Sequence, residues 1–379
     1  MAPISSRSST APISRVHAAL PSISPAVSVT FFLLVFSLLA CGQGEGGGRE
    51  EAGASVSDSG TLQAAGVFVP GSSEVAFQLP ERDLFPEGIA WDPLNGDLFL
   101  GSLRKSKIIR ITEEGVVDTL VGRDELGQGG ILGMKVDQDR RILWANYHQS
   151  AGQLGADPSI PFQTGIYQID LETGRIMEKH SVEKEEENHL LNDIALASDG
   201  TVYITSYSKG TLYRIPAETR ELEEWLPMPE GVYTNGIAMG PDERFLFVAG
   251  NADIYRVEIE TGETVQLAIP EGEAVYYGDG LYFHQGALVM IASWRGEDGL
   301  IHYRVERILL SGQMDTIEEI QILEEDHPLF AFPTTGVFAD GWFHYIATAQ
   351  FDKVDESGTV APWEEMSDIY ILRVPVPEG

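Results

Sequence analysis

The stretch NGIAMGPDERFLFVAGNADIYRV, residues 235–257, contains three apolar segments separated by turn residues. The first follows Asn235-Gly236, the second is Phe245-Leu246-Phe247, and the third is IYRV at 254–257. A Gly-Pro-Asp turn lies between the first two segments. Short segments of β-branched and aromatic residues bounded by Gly, Pro and Asp predict antiparallel strands joined by tight turns.

This pattern occurs six times along the chain. Each copy begins with an anchor residue, which is followed by Gly or Asp and then by an apolar residue. An apolar triplet follows about ten residues later, and a third apolar segment containing Tyr or Arg comes after it. The anchors are Glu87, Leu132, Asn192, Asn235, Asp279 and Thr335. The triplets are at 98–100, 142–144, 202–204, 245–247, 288–290 and 343–345. The third segments are at 108–111, 166–169, 212–215, 254–257, 302–305 and 371–374.

Six copies of a four-stranded unit predict an all-β fold, a six-bladed β-propeller spanning residues 66–379. The spacing of the copies, roughly 43 to 60 residues, matches the length of one propeller blade. The sixth copy has no fourth strand after Val376, so segment 75–79 is expected to close the last blade from the N-terminal side. A β-sandwich is the alternative, but regular anchors at six places do not favour it.

The charge balance excludes whole classes of partner. The 379 residues include 25 Lys and Arg against 58 Asp and Glu, a formal net charge of −33. Nucleic acids and anionic lipid surfaces require clustered cations, so this surface would repel them. We therefore expect no nucleic-acid partner and no membrane contact except through a lipid anchor, and we expect a monomer.

The N-terminal segment is typical of an exported lipoprotein. An apolar run at 26–40 follows two arginines and no acidic residue, and it is shorter than the ~20 residues of a membrane span. It ends Leu38-Leu39-Ala40-Cys41, which resembles a bacterial lipobox. We predict a signal peptide over 1–40, lipidation of Cys41 and a flexible Gly-, Ser- and acid-rich tether over 41–65. The predicted location is the bacterial cell envelope, on its periplasmic or extracellular face.

The anchor residues are candidates for a metal site. In a propeller the first strand of each blade lines the central channel, and its start opens on one face. Four of the six anchors carry carboxylate or amide oxygens: Glu87, Asn192, Asn235 and Asp279. Such groups meeting at one point would repel or stay unsatisfied without a counter-ion. Oxygen ligands without His or Cys suit Ca²⁺, although another divalent cation is possible.

Four segments also carry a family resemblance. They resemble the calcium-site motifs of the senescence-marker-protein/gluconolactonase/luciferin-regenerating-enzyme family, which is related to the paraoxonases and the squid-type phosphotriesterase. The segments are Phe85-Pro86-Glu87-Gly88-Ile89, Leu191-Asn192-Asp193-Ile194, Asn235-Gly236-Ile237-Ala238 and Gly278-Asp279-Gly280-Leu281. The resemblance spans 75–376. It implies a six-bladed propeller with one Ca²⁺ at the channel mouth, held by the four anchors, and hydrolysis of lactones, esters or phosphotriesters.

Departures from the family pattern shape the expected substrate. Sugar-lactone members carry Arg two residues before the position of Asn192, whereas this chain has Leu190, which favours an uncharged lactone or ester. Segment 143–148 resembles the paraoxonase strand end that bears a catalytic histidine, with His148 offset by one position. Loops after the second strands are expected to supply substrate contacts, among them Tyr147, Tyr207 and Trp294. The Gly- and Pro-containing insert 149–164 is a candidate lid.

Two mechanisms and one non-catalytic role remain open. Asp279 is the first choice for activating water or attacking directly, since the family uses the matching residue as ligand and acid/base together. Asp193 is the rival base, because a calcium-bound carboxylate is a weaker base. No GxSxG or zinc-protease motif is present in the sequence. The alternative function is a non-catalytic ligand- or protein-binding propeller with a structural calcium.

Overall fold

The computed structural model describes residues 70–149, 163–182, 189–207, 209–355 and 359–377. The predicted signal peptide over 1–40, the tether over 41–65 with Cys41, and most of the insert 149–164 lie outside these residues. No helix in the described residues is long and apolar enough to cross a membrane.

Five blades are four-stranded antiparallel sheets whose strands follow chain order from the channel outward. Blade 1 comprises β2 (Pro86–Asp92), β3 (Asp97–Ser102), β4 (Lys107–Ile111) and β5 (Val117–Val121). Blade 2 comprises β6 (Gly129–Asp137), β7 (Ile142–Gln149), β8 (Gln163–Asp170) and β9 (Ile176–Ser181). Blade 3 comprises β10 (Leu191–Leu196), β11 (Val202–Ser206), β12 (Thr211–Ile215) and β13 (Glu223–Pro227). Blade 4 comprises β14 (Ile237–Met239), β15 (Phe245–Ala249), β16 (Ile254–Glu258) and β17 (Thr264–Gln266). Blade 5 comprises β18 (Tyr277–His284), β19 (Ala287–Arg295), β20 (Ile301–Leu310) and β21 (Ile317–Glu325).

Blade 6 joins the two ends of the fold. It comprises β22 (Gly336–Ala339), β23 (Trp342–Ile346), β24 (Ile369–Pro375) and, as its outer strand, β1 (Glu74–Leu79). Strand β1 pairs antiparallel with β24, from Glu74 opposite Arg373 to Leu79 opposite Ile369. The predicted six-bladed propeller, with an N-terminal strand closing the last blade, is confirmed.

The hydrophobic core is divided among the interfaces between neighbouring blades. Six clusters of buried side chains lie in the described residues, one at each interface. Between blades 1 and 2, for example, Phe99 and Ile108 pack against Leu143 and Tyr167. Strands that are buried on both faces are rich in Ile, Leu and Val, which explains the apolar triplets seen in the sequence. Burial at every interface holds the inner strands around the channel.

Helices in the described residues are short and lie in the connections between strands. They are the α-helix α1 (Arg123–Leu126) and the 3₁₀ turns Arg82–Leu84, Pro241–Glu243, Phe351–Lys353 and Trp363–Glu365.

Candidate functional site

Irregular pairing at the start of the inner strands sets the anchor side chains apart from the regular ladder. The register shifts between Pro86 and Gly88 in β2, between Leu191 and Ile194 in β10, and between Gly278 and Leu281 in β18. A β-bulge bends its strand and re-aims the side chains within it. The residues inside these three bulges include Glu87, Asn192 and Asp279.

The glycine after an anchor is required by the close approach of neighbouring inner strands. A Cβ on Gly236 would lie 2.5 Å from Leu281 N and 2.7 Å from Asp279 O. A Cβ on Gly88 would overlap with the carbonyl oxygen of Leu132. The anchor–Gly pairs therefore mark the points where the backbones of adjacent blades meet around the channel.

Three carboxyl groups influence one another electrostatically in the channel. Burial raises the pKa of Glu87 well above its usual value, and the nearby charges of Asp279 and Asp193 raise it further. Burial also raises the pKa of Asp279 to about 7, with Asp193 adding to the effect and a hydrogen bond from Asn235 opposing it. Glu87 and Asp193 are buried, whereas Asp279 is half-buried. Such a cluster needs a cation to keep all three groups ionised.

The two amides leave oxygen atoms available to such a cation. Asn235 Nδ2 donates hydrogen bonds to Asp279 Oδ1 and to Tyr277 Oη, each 3.0 Å long. Three buried oxygens of the candidate ligands have no hydrogen-bond partner among the described residues: Glu87 Oε2, Asn192 Oδ1 and Asn235 Oδ1. Together with the Asp279 carboxylate they form an oxygen-only donor set with two carboxylates, which fits Ca²⁺. No group of three or more His, Cys, Asp or Glu side chains in the described residues is arranged to hold a metal ion. The candidate set differs from such a group because two of its four ligands are the amides of Asn192 and Asn235.

Asp193 has a supporting position. Its Oδ1 accepts a hydrogen bond from Ile194 N at 2.8 Å, and its Oδ2 accepts one from Ile237 N at 3.1 Å. Its own N–H donates to Thr205 Oγ1, whose hydroxyl donates to Asn235 O at 2.7 Å. Asp193 therefore links blade 3 to blade 4 beneath the candidate ligands, and both its oxygens are already engaged. This arrangement favours Asp279 over Asp193 as the base.

The channel also contains two groups that sequence reasoning missed. Lys135 Nζ lies 4.5 Å from the centre of the Tyr282 ring. Burial lowers the pKa of Lys135, and the charge of Asp193 partly offsets that effect. Tyr282 Oη accepts a hydrogen bond from Gly336 N at 2.6 Å. Lys135 therefore supplies one positive charge against the three carboxyl groups, leaving a deficit that one divalent cation would balance.

Two residues predicted for the site lie on β7, and the structure buries both. His148, predicted as catalytic from its resemblance to a histidine at a strand end, lies opposite Gly130, and burial lowers its pKa to about 4. It is therefore a neutral imidazole and a weak base at neutral pH. Tyr147 is also buried, with its ring centre 4.4 Å from that of Tyr167 and its hydroxyl 2.7 Å from Ser181 Oγ. Because Tyr147 packs in the core, it is not placed as a substrate contact.

Two other predicted contacts are half-buried at strand ends. Tyr207 follows β11, and its N–H donates to Leu190 O at 2.8 Å. The Tyr207 ring lies 5.7 Å from that of the exposed Tyr233. Trp294 near the end of β19 stacks on Tyr276 at 4.7 Å between ring centres. Both side chains are half-buried, and their role as substrate contacts stays a prediction.

Comparison with known proteins identifies the family. The family described as SMP-30/Gluconolactonase/LRE-like region matches residues 85–322, more than half of the chain. The chain belongs to this family. No curated protein matches the sequence.

Solved structures share the fold at low sequence identity. A luciferin-regenerating enzyme is 13% identical, with a TM-score of 0.52, over 80% of this chain and 95% of its own. A gluconolactonase from Xanthomonas campestris is 15% identical, with a TM-score of 0.51, over 83% of this chain and 99% of its own. A virginiamycin B lyase from Staphylococcus aureus is 15% identical, with a TM-score of 0.51, over 80% of this chain and 100% of its own. At these identities the likeness is one of fold.

Proposed function

We propose that this protein is a calcium-dependent hydrolase of uncharged lactones or esters. The observation that carries the proposal is the set of three buried, unpartnered oxygens on Glu87, Asn192 and Asn235 beside the Asp279 carboxylate. Such atoms are costly to bury unless a cation satisfies them. Membership of a family that is named in part for gluconolactonase supports lactones as the substrate class.

The four candidate ligands would hold Ca²⁺ at the channel mouth. When bound there, the ion supplies a Lewis acid for the carbonyl oxygen of the substrate. Asp279 Oδ1 accepts a hydrogen bond from Asn235 Nδ2, which orients the carboxylate that would activate a water molecule or attack the substrate carbon. Burial raises the pKa of Asp279 to about 7 in the ion-free protein, and a bound cation would lower it, which keeps the carboxyl group ionised as ligand and base.

The surroundings of the site suit an apolar or aromatic substrate. Leu190 is buried and directly precedes β10, the strand that carries Asn192. Its apolar side chain cannot form a hydrogen bond or an ion pair with a sugar hydroxyl or a carboxylate. Tyr207, whose N–H donates to Leu190 O at 2.8 Å, follows β11, and Trp294 lies near the end of β19 in blade 5. We also propose that Cys41 carries a lipid that tethers the enzyme to the cell envelope.

The proposal is tested by measuring the hydrolysis of three small substrates in the presence and in the absence of a calcium chelator. Purified protein is assayed with glucono-1,5-lactone, an aromatic δ-lactone and phenyl acetate, and calcium affinity is measured by calorimetry. We expect Glu87→Gln to weaken calcium binding and turnover together, since it removes one of the two negative ligands. Glu318→Gln changes an exposed residue of β21 in the same way and is the matched control.

Two outcomes would contradict the proposal. If Glu87→Gln binds calcium as tightly as the wild type, the ligand assignment is wrong. If calcium binds tightly and no member of the panel is hydrolysed above background, the protein is a binding propeller in which calcium is structural.

A further inference from the structure

Two tyrosines lie beside the candidate ligand Asn235. An amide nitrogen can only donate, so Tyr277 Oη must accept the hydrogen bond from Asn235 Nδ2, which is 3.0 Å long. Tyr207 is close to both Tyr277 and Asp279. Burial raises the pKa of both tyrosines, and the charge of Asp279 raises each pKa further.

The backbone of Asn235 is held in place independently of these tyrosines. Its N–H donates to Ala249 O at 2.9 Å, and its carbonyl oxygen accepts from Thr205 Oγ1 at 2.7 Å. What remains free is rotation of the terminal amide. Asp279 takes one amide hydrogen and Tyr277 takes the other. With both hydrogens engaged, Oδ1 can only face the opposite side, where it is buried and unpartnered among the described residues.

We infer that Tyr277 is a positioning residue for the cation ligand Asn235, and that Tyr207 presents its hydroxyl hydrogen to a bound substrate oxygen. The inference rests on the proposed function and deepens it. Tyr277 Oη accepts one amide hydrogen of Asn235 and so fixes the direction of Asn235 Oδ1. Tyr207 is half-buried and packs beside the exposed Tyr233, so part of its side chain is accessible from outside the site.

The site thus recognises an oxygen-bearing substrate with an apolar or aromatic flank. Tyr207 supplies one donor, and the rings of Tyr207 and Tyr233, 5.7 Å apart, supply an aromatic surface. A lactone ring oxygen or an ester alkoxy oxygen fits that donor. No charged group is required for this contact.

Three tyrosine variants separate the two roles, with calcium affinity and kcat/KM as independent readouts. Tyr277→Phe should raise the calcium Kd by about two- to tenfold, as expected for loss of one neutral hydrogen bond. Tyr207→Phe should leave the calcium Kd unchanged and lower kcat/KM for the aromatic δ-lactone by a similar factor. Tyr370→Phe makes the same change at a half-buried tyrosine of β24, outside the candidate site, and should change neither value, which makes it the matched control.

A double-mutant cycle shows whether Tyr277 acts through Asn235. In the Asn235→Ala background, Tyr277→Phe should have no further effect on the calcium Kd, whereas a general loss of stability would appear in both backgrounds. Thermal unfolding at saturating calcium reports whether each variant is folded.

The possible results distinguish failure of the proposed function from failure of the inference about the two tyrosines. A wild type that binds no calcium overturns the proposed function and this inference together. Calcium binding weakened by Glu87→Gln but unchanged in Tyr277→Phe overturns the inference alone. So does a Tyr277→Phe penalty that persists in the Asn235→Ala background, or a Tyr207→Phe variant with wild-type kcat/KM.

Discussion

Adding one methyl group at Gly236 should damage both the fold and the candidate metal site. A Cβ there would lie 2.5 Å from Leu281 N, 2.7 Å from Asp279 O and 2.8 Å from Leu281 Cβ, whereas real Cβ contacts do not fall below 3.0 Å. Blades 4 and 5 would have to separate by about 0.5–0.9 Å, and overpacking of this kind costs about 1–3 kcal/mol. We expect the upper end, ~3 kcal/mol, because two of the three opposing atoms belong to backbone.

The displacement also separates two candidate ligands, since Gly236 follows Asn235 and meets the backbone of Asp279. Gly236→Ala should therefore weaken calcium binding as well as lower the unfolding temperature, by about 1.5–2 °C per kcal/mol for a propeller of roughly 300 residues. Thermal unfolding followed by circular dichroism and calcium calorimetry measure the two effects. Gly312→Ala is the control, since a Cβ there meets nothing within 4 Å. If Gly236→Ala matches Gly312→Ala in both assays, adjacent inner strands do not approach as described.

Two further predictions concern stability in acid and the lipid anchor. Arg141 donates hydrogen bonds of 2.6 and 2.7 Å to the two carboxylate oxygens of Asp92. Burial alone would raise the pKa of Asp92, but the hydrogen bonds from Arg141 and from Leu94 N–H lower it overall. Asp92→Asn should cost about 2 kcal/mol, less than for a fully buried pair because Arg141 keeps Glu172. Because the folded pKa is depressed, this difference should be constant above about pH 5 and shrink as the pH falls below about 4 in urea titrations; a constant difference down to pH 2 would contradict it. Labelled palmitate should enter the wild type in bacterial cells but not Cys41→Ser, and equal labelling of both would refute the lipobox assignment.

The repeat pattern was sufficient to predict the fold. Anchors such as Asn235-Gly236 and triplets such as Phe245-Leu246-Phe247 depend on local turn chemistry and on burial at blade interfaces, both of which are visible in sequence. The closing strand at 75–79 could be inferred because the sixth copy lacked a partner for β24. Regular elements with local causes are the ones that sequence reasoning recovers.

The candidate site was recovered only in part, for a definable reason. Strand alternation places Tyr147 on the opposite face of β7 from Asn146 and His148, and applying that rule would have excluded Tyr147 as a substrate contact. Asn146 was missed, although its Nδ2 donates to Asn192 O at 2.9 Å. Alternation fails in β18, where the bulge between Gly278 and Leu281 changes the register, so that Tyr277 and Tyr282 both interact with Asp279. A bulge depends on contacts with the neighbouring blade and has no short sequence signature.

The pairing of β1 with β24 also affects how the protein is made on the ribosome. Arg373 Nε donates to Glu74 Oε1 at 2.8 Å across 299 positions of sequence, so the ring stays open until Arg373 has been translated. Until then β24 is absent, and both β1 and β23 expose unpaired edges that invite misassociation with other chains. A premature stop before Ile369 would remove no candidate metal ligand, yet it would leave two open edges. Nonsense mutations between the codons for Ile346 and Ile369 should therefore act through aggregation of the truncated product.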